Sequence, residues 1–283
     1  MFVQVRAVPT QREGSDMQVA LSEPEFRQFQ AMIYRIAGIS LSNEKQALVS
    51  GRLARRVQHY NLPSYGEYFQ LLSDPQAPQE MQVAIDLLTT NETYFFREQK
   101  HFDFLRDTIL PGLKGTQPVR IWSGASSSGE EIYSIAMVLA AVLGERAWEV
   151  LGSDISTRVL DQARLGHYPI ARAKDISQEY LRKYCLKGVG AQEGTFLIDK
   201  ALRSRVQFMQ INLNAALPKI GEFDVIFLRN VMIYFDAKTK QQVVARMLPL
   251  LRRGGYFFVS HSESLNGITD QLTLISPSIY RKP

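Results

Sequence analysis

One cysteine, Cys185, stands in 283 residues, so neither an internal disulfide nor a multi-cysteine metal cluster can form. Histidine is almost as scarce. His59, His101, His167 and His261 show no paired His-x-x-x-His spacing, and no metal is expected. Long hydrophobic runs are also missing: even Ser134 to Leu143 ends at Gly144 and Glu145, well short of the roughly 20 apolar residues that a membrane span needs. A cytoplasmic protein without membrane insertion is expected. Residues 1–17 mix charge with Gly and Pro instead of building a signal sequence, and they read as a disordered leader. Internal repeats are absent, as are an Asn-Pro-Pro-Tyr-like motif and any basic stripe interleaved with stacking aromatics. Nucleic acid is therefore not the expected partner. A net charge of +5 is mild, and it suits an acidic partner.

What is present is a globular composition, 45% hydrophobic and 22% charged, enough for one large domain or two smaller ones. From Ser22 to about Arg106 the pattern is helical. Ser22 with Glu23, Pro24 and Glu25 is a helix start, and Phe26, Phe29, Ile33 and Ile36 recur at helical spacing until Gly38. A second helix, about Glu44 to Tyr60, gathers Val49, Leu53, Val57 and Tyr60 on one side and Arg52, Arg55, Arg56 and His59 on another. Pro63 to Leu72 and Pro78 to Leu88 complete a helical domain over 18–90.

Past Lys114-Gly115 the period changes. Short apolar runs begin at Val119, Trp148, Val206, Phe223 and Gly255, separated by helical or polar stretches. That alternation predicts an α/β domain over 91–283 with a mostly parallel sheet covered on both faces. The segment of about 166–205, rich in Tyr, Pro, Gly and charge, reads as an insertion.

The first run leads into Gly124-Ala-Ser-Ser-Ser-Gly129 and a long helix, Glu130 to Leu143. Such a turn lies at the carboxyl end of a strand, where ligands bind in doubly wound sheets. A phosphate loop would continue with Lys and Ser or Thr. Here Glu130 and Glu131 follow, and they would repel a polyphosphate. The expected ligand is nucleoside-like, lacks phosphate and carries positive charge, a description that S-adenosylmethionine meets. Asp154, ending the second strand, stands where an acid accepts ribose hydroxyls, although Asp before Ile-Ser-Thr serves equally as a helix cap. Arg229 and Asn230 follow a buried strand, with Tyr234 four residues beyond Asn230, and Asn212 is expected to end the strand before it; turn formation is an alternative for each Asn. Upstream, Leu88 to Glu98 packs Thr90, Asn91, Thr93 and Arg97 around Tyr94, Phe95 and Phe96, a segment that could equally be a capped helix start and a linker.

Taken together, these blocks resemble the chemotaxis receptor methyltransferases, which esterify glutamate side chains of bacterial chemoreceptors. The matching stretches are Leu-Thr-Thr-Asn-x-Thr-x-Phe-Phe-Arg-Glu at 88–98, Arg-Ile-Trp-Ser-Gly-Ala-Ser-Ser-Ser-Gly-Glu-Glu-Ile-Tyr-Ser at 120–134, Gly-Ser-Asp-Ile at 152–155, Phe-Leu-Arg-Asn-Val-Met-Ile-Tyr-Phe at 227–235 and Ser-His-Ser-Glu at 260–263. They cover nearly everything after residue 20. Two departures are visible: Ile132 stands where the family often has Pro, and Ser123-Gly124 where it has Ala or Cys. Neither removes a polar contact.

The resemblance implies a Rossmann-like S-adenosylmethionine methyltransferase domain with an inserted small antiparallel β-subdomain, preceded by an all-helical N-terminal domain. It implies Asn91, Thr93 and Arg97 as interdomain cofactor contacts, and Glu130, Asp154, Asn212, Leu213, Arg229 and Asn230 as contacts from the sheet edge. S-adenosylhomocysteine is the expected product. Arg97 is expected to orient a substrate carboxylate and Tyr234 to border the transferring methyl. Arg52, Arg55 and Arg56 are expected to dock an acidic helical surface, the cytoplasmic methylation helices of methyl-accepting chemotaxis receptors. Gly188 to Gly194 reads as a hairpin loop, which makes strand addition of a receptor's C-terminal peptide conceivable, and the chain is expected to be a monomer. Two other readings stay open in the residues alone: a methyltransferase for nucleic acid or a small molecule, and a non-catalytic module that binds the cofactor and reports on it.

Overall fold

The computed structural model describes residues 19–74, 77–113, 115 and 117–283; the expected leader, 1–17, lies outside them. Four helices come first: α1 (Glu23–Ala37), α2 (Gln46–His59), α3 (Tyr65–Leu72) and α4 (Pro78–Leu88). The Glu25 carboxylate accepts hydrogen bonds from the Ser22 amide and hydroxyl at 2.8 and 2.6 Å, closing the first turn of α1. Gly38, at φ 72°, ends it. Phe26, Phe29, Ile33, Val49 and Leu53 bury their side chains between these helices. A helical run follows, with α5 (Lys100–Phe104), a π-type turn over Leu105–Ile109 and α6 (Leu110–Gly112).

The remainder is built on a seven-stranded sheet. Its strands are β1 (Val119–Ser123), β2 (Trp148–Asp154), β6 (Val206–Gln210), β7 (Phe223–Phe227), β8 (Leu251–Phe258), β9 (Thr273–Ser276) and β10 (Ile279–Arg281), in the spatial order β6-β2-β1-β7-β8-β10-β9. β6, β2, β1, β7 and β8 are parallel, whereas β10 runs antiparallel to β8 and to β9. The chain moves outward from β1 through β2 to β6 and then returns to β1's other side with β7. The order therefore reverses between β1 and β7, and a crevice opens beyond their carboxyl ends.

Helices α7 (Glu130–Leu143), α8 (Thr157–Leu165) and α11 (Ala237–Met247) follow β1, β2 and β7 respectively. Between α8 and β6 lies the insertion. It forms a three-stranded antiparallel sheet of β3 (His167–Pro169), β5 (Thr195–Ile198) and β4 (Cys185–Lys187), accompanied by the short helices α9 (Gln178–Tyr184) and α10 (Lys200–Arg203). Residues 188–194 join β4 to β5 as a hairpin loop. No described helix is long and apolar enough to cross a membrane.

The helical N-terminal layer covers the crevice. Ile39 makes an antiparallel bridge to Phe235, Asn212 Nδ2 donates to Ile36 O at 2.7 Å, and Tyr34 donates to Asp236 at 2.7 Å. One apolar core runs through both layers, from Phe29 and Leu53 to Trp122, Leu213 and Met247.

Candidate active site

The crevice is a cleft with about 840 Å³ of free space, measured out to its open mouth. Its floor is made by the loop after β1. Gly129 sits at φ 96° and starts α7, and a Cβ there would lie 2.9 Å from Ala163 Cβ on α8. Glycine is what lets the loop turn this tightly while α8 packs beside it. Ser127, at φ 48°, gives its amide to one Asp154 oxygen at 2.9 Å and its hydroxyl to Asn91 O at 2.8 Å. Asp154 at the end of β2 is thereby joined to the loop after β1, and that loop to the interdomain segment 89–97.

Asp154 takes the Ser156 amide at 3.0 Å on its other oxygen. The first turn of α8 is satisfied instead by Asp86 of α4, which accepts from the Thr157 amide, the Thr157 hydroxyl and the Arg158 amide. The helix-cap duty that the sequence left open for Asp154 thus falls chiefly to Asp86, and Asp154 remains on the cleft wall. Burial raises its carboxyl pKa, against the opposing pull of the Ser156, Ser127 and Ile155 amides.

Of the residues expected at the site, Asn91, Thr93, Arg97, Asp154, Asn212, Leu213, Arg229, Asn230 and Tyr234 all line this one cleft. The segment 89–99 that carries three of them is neither helix nor strand. It is pinned from two sides, by the Ser127 hydroxyl on Asn91 O and by Arg172 Nη1 on Thr93 O at 2.6 Å. Asn212 stands two residues beyond the end of β6, not at it. Its side chain bridges to the N-terminal layer because the β6 ladder stops at Gln210. Asn230 adopts φ 58°, and its amide, with those of Ile233 and Ser260, is held by the Glu263 carboxylate.

One expected contact sits elsewhere, and another lines the cleft with its charge turned away from it. Glu130 is 1% exposed and does not line the cleft. Its carboxylate accepts from the Ser128 hydroxyl at 2.7 Å and faces Arg172 at 3.4 Å, and burial raises its pKa. Glu131, one residue later, reaches the wall instead, because a 100° step along the helix turns it toward the crevice. Arg229 adds to the wall, but its side chain is 1% exposed and its guanidinium faces inward, between Glu131 at 2.7 Å and Glu98 at 3.2 Å.

The basic face of α2 separates in the same way. Arg56 pairs with buried Glu80, its Nε donating at 2.8 Å, and Tyr68 donates to the same carboxylate at 2.6 Å. Arg52 donates to Leu88 O, Thr89 O and Thr90 Oγ1. Burial lowers its guanidinium pKa. Only Arg55 of the three is exposed. A second, strongly polar cleft shares Thr89, Thr90 and Asn91 with the first, and Arg52, Arg158 and Arg172 line it. Arg158 and Arg172 carry no motif, so sequence reasoning had no signal for them. Glu98 and His101, three residues apart, and His261, far along the chain, offer ligand atoms within 4.8 Å of one another. Arg229 already stands against that Glu98 carboxylate.

The pocket suits S-adenosylmethionine on the chemistry of its wall. Asp154 offers a carboxylate to ribose hydroxyls and negative charge toward a cation, and Ile155, Leu213 and Val231 offer apolar surface for a purine. A Rossmann-like sheet with this cleft at its switch point is the framework of an S-adenosylmethionine-dependent methyltransferase. A family model described as the CheR methyltransferase SAM binding domain matches residues 91–280, and one described as the CheR methyltransferase all-alpha domain matches residues 24–89. The chain belongs to the CheR methyltransferase family and binds S-adenosylmethionine. It is 41% identical over 265 residues to the chemotaxis protein methyltransferase of Escherichia coli strain K12, covering 93% of this chain and 92% of that one. Chemotaxis protein methyltransferase 2 of Pseudomonas aeruginosa is 42% identical over 259 residues, covering 90% and 92%. The chemotaxis protein methyltransferase of Borreliella burgdorferi is 34% identical over 284 residues, covering 96% and 99%.

Proposed function

We propose that this chain transfers a methyl group from S-adenosylmethionine to glutamate side-chain carboxylates of chemoreceptors, giving glutamyl methyl esters for chemotactic adaptation, and that it does so in the cytoplasm as a monomer. The carrying observation is that Arg97 and Tyr234 line the same cleft as Asp154. A cation and a phenol thus flank the place where an acidic side chain would meet the cofactor. The names of the relatives supply the chemotactic setting.

When bound, S-adenosylmethionine supplies an electrophilic sulfonium methyl and leaves as S-adenosylhomocysteine. Glutamate has an unperturbed pKa of about 4.3, so near neutral pH its carboxylate attacks as it stands and no general base is required. The protein's work is positioning. Arg97 is held by its Nη1 on Glu92 O at 2.8 Å and lies over the Tyr94 ring at 5.5 Å, which leaves further guanidinium donors for a carboxylate. Tyr234 accepts the Ser40 amide on its carbonyl at 2.8 Å, and that bond fixes the backbone behind its phenol.

For docking, Arg52 of α2 together with Arg158 and Arg172, which line the second cleft, offers a basic surface to a receptor's acidic helix. Arg56 is engaged by Glu80, and Arg55 serves at the periphery. A hollow bordered by Leu186, Val189 and Leu197 supports the reading that a receptor peptide adds as a strand along the β-subdomain.

The test is incubation of the purified chain with radiolabelled S-adenosylmethionine and receptor-containing membranes, RNA or buffer alone. Base-labile carboxyl methyl ester should form with receptor only. Label in RNA, or none anywhere, would sink the proposal.

A further inference from the structure

Arg97 stands between two residues in left-handed backbone conformation, Phe96 at φ 54° and Glu98 at φ 61°. Side chains with a Cβ avoid that region, so this arch persists only where its surroundings hold it. Phe96 is held through its amide, which donates to Ser134 Oγ at 2.9 Å, and through its ring, 5.2 Å from that of Phe102. The other two residues are held by Arg229. Its Nη2 donates to the Arg97 carbonyl and stands 3.2 Å from Glu98 Oε2, while its Nη1 meets Glu131 Oε2 at 2.7 Å. Glu131 is itself fixed by the Ser123 hydroxyl at 2.7 Å, at the end of β1.

One buried guanidinium thus joins the arch to the ends of β1 and β7. We infer that Arg229 is a positioning residue: it holds the Phe96–Glu98 arch so that Arg97 presents its guanidinium to the substrate, and it acts through Arg97. Two carboxylates and a carbonyl around one cation call for a planar fork of donors, which lysine's single nitrogen lacks.

The inference rests on the proposed role of Arg97, and the experiment separates the two. The full chain is assayed on receptor membranes as wild type, R97A, R229K, E131Q, R97A/R229K and R97A/E131Q. S-adenosylhomocysteine binding is measured by calorimetry and folding by thermal melts. R97A should lower kcat/KM about a hundredfold. R229K should lower kcat about tenfold or more while the S-adenosylhomocysteine Kd moves less than about threefold, and E131Q should do the same more weakly. In the R97A background either change should cost less than about twofold further, because the residue it acts through is gone. If R229K fails to fold, E131Q and its double variant carry the comparison. Multiplicative losses in the double variants would overturn the inference alone, as would wild-type kcat in the E131Q and R229K enzymes. Full turnover by R97A would overturn the reading of Arg97 and any action through it.

Discussion

The Asp154 carboxylate accepts the Ser127 amide at 2.9 Å on one oxygen and the Ser156 amide at 3.0 Å on the other, so one buried acid ties the end of β2 to the loop after β1. Asp154→Asn keeps the size and one carbonyl acceptor but turns an NH₂ toward one of those amides and removes the charge. S-adenosylhomocysteine affinity should fall about tenfold to a hundredfold, the range for a hydrogen bond to a charged group. Unchanged affinity by calorimetry would show that Asp154 serves only the loop.

The same carboxyl predicts a pH dependence. Burial raises its pKa above the ordinary 3.8. The folded chain therefore holds this proton more tightly than the unfolded chain, and the group's contribution to stability is present in acid and is lost as pH rises through the raised value. Affinity should run the other way. The ionised form is the better acceptor for ribose hydroxyls, so affinity should weaken as pH falls through that value, and the Asp154→Asn enzyme should show a flatter profile.

Arg55 and Arg56, adjacent in sequence, should behave differently. Arg56→Ala strands the Glu80 carboxylate, 4% exposed, with Tyr60 and Tyr68 as its remaining donors. A loss of about 2 kcal/mol is expected in urea melts, at the low end for a broken buried pair because solvent reaches Arg56. Burial would raise the Glu80 pKa, but hydrogen bonds from Arg56, Tyr68 and Tyr60 outweigh it and hold it below 4.5. The stability this group contributes is present above pH 4.5 and fades as pH falls through the lowered value, and Arg56→Ala should lessen that fall. Arg55→Glu should leave the melt unchanged and raise the KM for receptor.

Gly129→Ala should disturb fold and site together. The residue's φ of 96° disfavours any Cβ, and the added atom would lie 2.9 Å from Ala163 Cβ and 3.0 Å from the Tyr168 hydroxyl. About 2 to 3 kcal/mol of stability should be lost, with weaker cofactor binding because the loop must shift. A variant with wild-type melting and affinity would show that α8 yields easily.

Tyr234→Phe tests the phenol alone, since the backbone bond from Ser40 survives the change. kcat should fall about tenfold, the worth of one hydrogen bond to a charged partner, with the S-adenosylhomocysteine Kd nearly unchanged. A Kd change equal to the kcat change would move Tyr234 from the substrate to the cofactor.

Much of the layout was legible because periodicity and punctuation are local. Ser22 with Glu25, the glycine at 38 and the alternation of short apolar runs with helices describe elements whose boundaries depend on neighbouring residues. Asp154 could be placed at its strand end too, since a parallel sheet must put its crevice at the carboxyl ends, whereas Asn212 stands two residues past the end of β6. Side-chain direction could not. Glu130 and Glu131 are equivalent as sequence, yet a single helical step buries the first against Ser128 and sends the second to the wall. Arg52, Arg55 and Arg56 share a helix face, yet Glu80 on α4 captures one of them and the carbonyls ending α4 another.

The sequence by itself determined the helical layer, the β/α alternation, the inserted hairpin and the exclusion of a phosphate loop, because each follows from residue type at short range. Only the tertiary structure decided which acids and arginines face the cleft. That choice depends on partners far along the chain, as with Arg229, which sits between Glu98 and Glu131 and behind Arg97, where two left-handed residues need something to hold them.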